Sequence, residues 1–317
     1  MRTRGITILL ALFAALASAA AGAAYPDRPI RIIVAFAAGS GNDVVGRIVA
    51  EELRKELDAQ VVVENRPGAA GVIGMRAALQ APADGYTLVM TSSATHSANP
   101  WLVRDLPYDP VKSFAHISNV ITTPLLLVVP QGSASTMKEF LDKSRGKDVP
   151  FGFGSSTSQV AASAFANIAG LTTTPVSYKS QPPALVDLTS GLVQFMFADA
   201  AALGPFLQGN KVTPLATTGA TRSPKLPNVP TLAELGVKDY DLTVWVGIAA
   251  PAGTPPEIVK QLSDALARGL ARHEVRDRFA VVGMQIDANG PEKQREFVEA
   301  QLGAWKRRIQ EAGLKPE

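Results

Sequence analysis

The chain predicts an α/β protein built as two similar lobes, and three observations carry that prediction. Short β-branched runs alternate with amphipathic helical runs, the pattern of parallel βαβ units. A strand that turns through small polar residues into a helix occurs twice, at Phe36–Asp43 and at Phe153–Gln159, with Gly39 and Gly154 115 residues apart. The 317 residues, 46% of them hydrophobic, suffice for two cores, and no cysteine is present to staple either one.

The elements follow in order. Residues 1–24 read as a secretory signal peptide: Arg2 and Arg4 form the positive n-region, Ile6 to Leu16 the apolar stretch, and Ala21-Gly22-Ala23 an A-x-A cleavage site. That run is short for a bilayer span, so cleavage and a soluble exported protein are expected. Losing two arginines and no acid takes the formal charge from +3 to +1, which leaves no argument for nucleic acid or an anionic membrane as partner.

Ile30 to Phe36 reads as a buried strand. Val44 to Leu57 reads as a helix, with Glu51, Glu52, Arg54 and Lys55 on its wet face. Val61 to Val63, a helix from Gly71 to Gln80, and Tyr86 to Met90 continue the alternation. Ile117 to Val129 is a long β-rich run interrupted by Pro124, and Ser135 or Thr136 caps a short helix. Val149 to Phe153 leads into the helix Gln159 to Ala169. Pro175 to Tyr178 is a strand, and Pro182 and Pro183 start another helix. Phe195 to Phe197, Leu215 to Thr217 and Val244 to Ile248 are strands; Thr254 caps a helix running to about Leu270, and two helices close the chain.

Groups for catalysis are scarce. None of His96, His116 and His273 has a second ligand at metal-binding spacing, so no metal is expected. There is no G-x-S-x-G elbow, and Gly39-Ser40-Gly41 fails both the dinucleotide fingerprint and the P-loop pattern. No enzyme activity and no cofactor are expected; distant serines and acids converging as in an exported hydrolase form the enzyme alternative.

Binding is the better fit. Amides free at a helix start, with the positive end of the helix dipole, suit an anion. The hydroxyl run Ser155-Ser156-Thr157-Ser158 adds donors: a cap uses one and the rest are expected to be free. Thr91 to His96 occupies another carboxyl end of a strand, where open α/β sheets bind ligands. Asp43 raises a question. Its carboxylate either caps amides facing away from an anion or receives a cationic part of the ligand, and Asp199 poses the same choice. Trp245 and Trp101 read as core or pocket wall, His96 as a loop hydrogen bonder.

The blocks Tyr25-Pro26-Asp27-Arg28-Pro29-Ile30-Arg31, Phe36 to Asp43, Val62 to Ala69, Asp84 to Leu88, Thr95 to Pro100, Leu106 to Pro110, Tyr178-Lys179, Pro230 to Glu234 and Ala250 to Pro255 occur in one order over the mature chain. In these the sequence resembles the extracytoplasmic solute receptors of tripartite tricarboxylate transporters, the TctC or Bordetella-uptake-gene (Bug) family. The resemblance implies a type II periplasmic-binding-protein fold: two lobes of mixed sheet flanked by helices, with two crossing strands as the hinge near Ile121–Leu125 and Trp245–Ile248. Residues 25–122 plus 247–317 would form one lobe and 123–246 the other. It further implies a small mono- or dicarboxylate held by Phe36, Ala38, Gly39, Ser40, Gly41, Asn42 and Asp43 and by Ser155, Ser156, Thr157, Ser158 and Gln159, with Asp199 reading the rest of the ligand; Ser92, Ser93 and Thr95, from the strand end read above, complete the candidate set. The implied setting is the periplasm, the implied partners are membrane permease subunits, and a monomer is the default. A receptor docking on a sensor kinase is the alternative. The chain departs from the family pattern at Ser40, at Gln159, where histidine is common, and at Ser180, where glycine is usual.

Overall fold

The structure, a computed structural model, describes residues 25–237, 240 and 242–316; the expected signal peptide lies outside the described residues. Strand and helix alternate from the start: β1 (Ile30–Val34), α1 (Gly41–Leu57), β2 (Val61–Asn65), α2 (Val72–Leu79) and β3 (Thr87–Ser92). β1 pairs in parallel with β2 and β3. α1 begins at Ser40, whose Oγ accepts from the Asp43 N–H at 3.3 Å, and ends at Asp58 in the left-handed region at φ 47°. Its apolar stripe, Val45, Ile48, Val49 and Leu53, packs on β1 and on Leu262 and Leu266 of α8 (Pro256–Leu270).

One helix position departs from expectation. Glu52, read as solvated, is 0% exposed and paired with Arg272 at 2.8 Å and Lys55 at 2.9 Å. Gly269 of α8 makes room for it, because a Cβ there would fall 2.7 Å from the Glu52 Cβ. The pattern of a single helix cannot reveal a cation 220 residues further on.

A π-helical turn (Ala94–Ala98) and α3 (Asn99–Leu102) follow β3 where a loop was expected. β4 (Phe114–Pro130) then runs through both halves of the molecule. Its first half pairs antiparallel with β9 (Thr243–Pro251) as far as Pro124↔Thr243. Its second half pairs with β7 (Phe195–Asp199) and β8 (Val212–Thr217) from Leu125 onward. Pro124 therefore does not interrupt the strand. Its missing N–H falls where β4 changes partners, between Pro124↔Thr243 and Leu125↔Asp199, so no continuing ladder is interrupted there.

The second half contains α4 (Met137–Ser144), β5 (Phe151–Phe153), α5 (Ser156–Ala169), β6 (Pro175–Ser177) and α6 (Gln181–Ser190), with β5 parallel to β6 and β7. α4 is capped by Thr136, which accepts from the Glu139 N–H at 3.1 Å. After β7 comes α7 (Ala200–Gln208), built on the alanine-rich stretch and carrying Pro205. β10 (Gln285–Ile286), preceded by α9 (His273–Val281), adds an edge to β4, and α10 (Pro291–Glu311) ends the chain. Thr254 does not cap α8: its hydroxyl donates to the Pro251 carbonyl and Pro255 holds the cap position.

Two main cores result, one of Ile30, Val34, Ile48, Leu262 and Phe279, the other of Phe151, Phe165, Phe195 and Phe197. Residues 247–317 are not confined to the first half: Trp305 and Ile309 of α10 belong to the second core, while Phe297 packs on Trp245 at 5.6 Å.

Candidate functional site

The starts of α1, α5 and α6, the end of β3 and the crossing strands converge on one cleft between the halves. Its wall contains Phe36, Ser40, Gly41, Asn42, Ser92, Ser93, Ser155, Thr157 and Asp199 from the expected set. The remaining wall residues are Ala94, Thr123, Leu125, Gly154, Gln181, Val244, Trp245, Val246 and Met284. Among the described residues no lysine, arginine or histidine lines it, and Asp199 is its one titratable carboxyl group. The cavity volume is about 40 Å³, room for little more than a few waters, so the halves stand closed.

Asp43 is turned away from this space. Its Oδ2 accepts from the Gly39 N–H at 3.0 Å and from Arg47 Nε at 3.0 Å, and its Oδ1 accepts from Asn65 Nδ2 at 2.9 Å. Burial pushes its pKa up, but the Arg47 guanidinium, the Gly39 N–H and the Asn65 amide outweigh burial and hold it below the ordinary Asp value. The carboxylate thus fixes the Gly39 turn and the first turn of α1.

The hydroxyl run is also more committed than expected. Ser155 and Ser158 form a capping box, in which the Ser155 Oγ accepts from the Ser158 N–H at 3.3 Å and the Ser158 Oγ from the Ser155 N–H at 3.2 Å. The Ser156 hydroxyl donates to Asn99 Oδ1. Thr157 lines the cleft, its hydroxyl 2.9 Å from the Ser155 Oγ. Ala38, Gly39, Asp43, Thr95, Ser156, Ser158 and Gln159 are not part of the cleft wall. Gly154 has to be glycine, since a Cβ would fall on the Ser180–Gln181 peptide where the β5–α5 turn meets the start of α6.

Ser93 ties the end of β3 to the hinge: the Trp245 N–H donates to its Oγ at 2.7 Å. Thr95 lies behind, its hydroxyl 2.9 Å from His96 Nδ1. His96 is fully buried in the π-helical turn, its ring 4.7 Å from Phe114, 5.9 Å from His116 and 6.1 Å from Trp245. Burial, and then the neighbouring His116, keep its pKa well below the ordinary histidine value.

Asp199 stands at the centre of the closed cleft. It is 7% exposed and caps α7, Oδ1 accepting from the Ala202 N–H at 2.8 Å. Across the cleft this carboxylate lies against Gly41 of α1, where a Cβ would fall 2.6 Å from its Oδ1. Burial raises its pKa, and the N–H groups of Ala202, Asp199 itself, Gly41 and Ala201 only partly counter it. Gln181, absent from the expected set, accepts from the Asp199 N–H at 3.2 Å through its Oε1. Its signal was present, because Lys179-Ser180-Gln181 before Pro182-Pro183 is a third strand-to-helix turn.

A closed two-lobed α/β molecule with a cleft of helix starts between its halves is a binding protein of the periplasmic type. The model of the tripartite tricarboxylate transporter family receptor, TctC, matches residues 45–314. Protein BugT of Bordetella pertussis is 32% identical over 297 residues, covering 92% of this chain and 91% of BugT. The structure of periplasmic binding protein BugD matches with a TM-score of 0.88 at 30% identity, over 92% of this chain and 100% of that one. R. palustris Rpa4515 with adipate gives 0.89 at 29%, over 92% and 100%. MatC (Rpa3494) from Rhodopseudomonas palustris with bound malate gives 0.85 at 27%, over 90% and 100%. The chain belongs to the TctC/Bug family of solute-binding receptors, which is not a family of enzymes.

Proposed function

We propose that this receptor captures a small organic mono- or dicarboxylate in the periplasm and presents it to permease subunits of a tripartite tricarboxylate-type transporter. The observation that carries the reading is the convergence of the α1 and α5 starts from opposite halves on one cleft that no cationic side chain among the described residues lines. There, fixed amides and hydroxyls are what an anion meets. The relatives holding adipate and malate support the ligand class. In α1 the Asp43 N–H goes to Ser40 and Asp199 crowds Gly41, so the Asn42 amide is the one offered to a ligand. Thr157 faces it from α5. One lobe is built on residues 25–122 with the return from 247, the other on residues 123–246 with Trp305 and Ile309 of α10 packed into its core, and the lobes close about β4 and β9. No helix among the described residues is long and apolar enough to cross a membrane.

The test is thermal denaturation of protein stripped of carried-over ligand, against straight-chain C3–C8 mono- and dicarboxylates. A ligand at about 100 times its Kd raises Tm by roughly 5 °C. Native mass spectrometry of protein purified without refolding should name a co-purified acid. A flat panel with well-folded protein contradicts the reading.

A further inference from the structure

We propose that capture of a carboxylate in this cleft takes up one proton, and that Asp199 is the residue that receives it. The inference rests on the carboxylate reading above and concerns how the same site meets the ligand's charge.

The geometry forces the two acids together. The Asp199 carboxylate fills the space in front of the α1 start: a Cβ on Gly41 would lie 2.6 Å from its Oδ1. The cavity beside it is only about 40 Å³, so a carboxylate bound within the closed cleft has Asp199 as its immediate neighbour. Among the described residues no cation lines the cleft to separate them. Two carboxylates in one water-excluded site cannot both stay ionised, and they settle by sharing a proton.

The groups around Asp199 offer no other remedy. On α1 the nearest charges are Asp43 and Arg47, and each is committed to the other at 3.0 Å. On α6, Asp187 lies six residues beyond the start and accepts from the Tyr178 hydroxyl at 2.7 Å. β4 carries only His116, at its far end, and β7, β8, α7 and residues 282–285 bring no further titratable side chain. Burial already raises the Asp199 carboxyl above its ordinary value before any ligand arrives.

The step balances simply. A solvent proton adds to Asp199 Oδ2. Oδ1 continues to accept from the Ala202 N–H, and the new O–H donates to the ligand carboxylate. The filled site then carries one negative charge fewer than its parts. A zwitterion that places an ammonium against Asp199 needs no proton, so proton uptake distinguishes ligand classes as well as states of the site.

The experiment is titration calorimetry at pH 6 in buffers of different ionisation enthalpy, with affinities followed from pH 5.5 to 8. The probes are butyrate, succinate and γ-aminobutyrate, which share a four-carbon length, and any longer member of the C3–C8 panel that binds. Anionic probes should take up close to one proton and lose up to tenfold in affinity per pH unit; the zwitterion should take up none. Asp199→Asn keeps the Oδ1 acceptor for α7 and should bind the anions 1:1 with no proton uptake and a flat pH profile. Should that variant fail to fold, the wild-type buffer series and pH profile decide alone. Anions binding the wild type without proton uptake and with pH-independent affinity overturn the inference while leaving the function intact. Anions failing to bind at all overturn both.

Discussion

Asp43 and Asp199 are the two acids at the helix starts, and the structure gives them opposite tasks. Asp43 is 3% exposed and satisfied by Gly39, Arg47 and Asn65, so it is part of the scaffold. Asp43→Ala strands buried donors and should cost roughly 2–4 kcal/mol in a urea titration. An unchanged midpoint would show that the carboxylate is dispensable to the turn. Because its folded pKa is depressed, its contribution is present above about pH 4, the unfolded value, and is lost as pH falls through the lower folded value. Gly154→Ala should destabilise by about 1–3 kcal/mol, since the Ser180–Gln181 peptide must move. The same titration checks it, and a neutral result would mean that the β5–α5 turn can move aside. Half of the Asp43 answer was legible, because Arg47 is one helical turn on. Asn65 was not, since nothing local ties position 43 to position 65. The capping box was legible too: Ser155 and Ser158 have the spacing, yet a run of four hydroxyls reads equally well as free donors.

At the scale of elements, helices and strands with clear periodicity were readable and those shaped by distant partners were not. α1 and α8 follow their apolar stripes, yet Glu52 is buried because Arg272 lies across from it. α7 was hidden by an alanine run with a proline inside, and its start becomes clear only once Asp199 is seen to cap it. α10 looked like a closing helix of one lobe and instead places Trp305 and Ile309 in the second core. Trp305→Ala should therefore cost about 3–5 kcal/mol, read by chemical denaturation; a loss below about 1 kcal/mol would show that α10 is not anchored in the second core. The π-helical turn sets a pH dependence. Burial holds His116 down at about 4 and His96 well below its ordinary value. The unfolded chain binds more protons than the folded one below about pH 6.5, so stability is full above that value and falls as pH drops towards 4. His116→Gln should flatten the Tm profile over that window, and an unchanged slope would contradict the assignment.

At the scale of the whole molecule, two lobes and their α/β class were legible because two strand–turn–helix units repeat along the chain. What no periodicity encodes is how closely the lobes approach. The contact of Gly41 with Asp199 and the small cavity exist only once β4 and β9 bring residues 158 positions apart face to face. A second space between the halves, of about 440 Å³ and lined by Thr122, Pro124, Arg222, Lys225, Thr243 and Gln285, lies alongside the hinge and shares only Thr123 and Met284 with the cleft. The central claim is that the ligand belongs in the cleft of helix starts. A crystal structure with a bound acid from the C3–C8 panel tests it most directly. The account predicts a carboxyl group between the Asn42 amide and Thr157, next to Asp199. A carboxylate found in the space beside Lys225, with the cleft of helix starts free of it, would contradict the account.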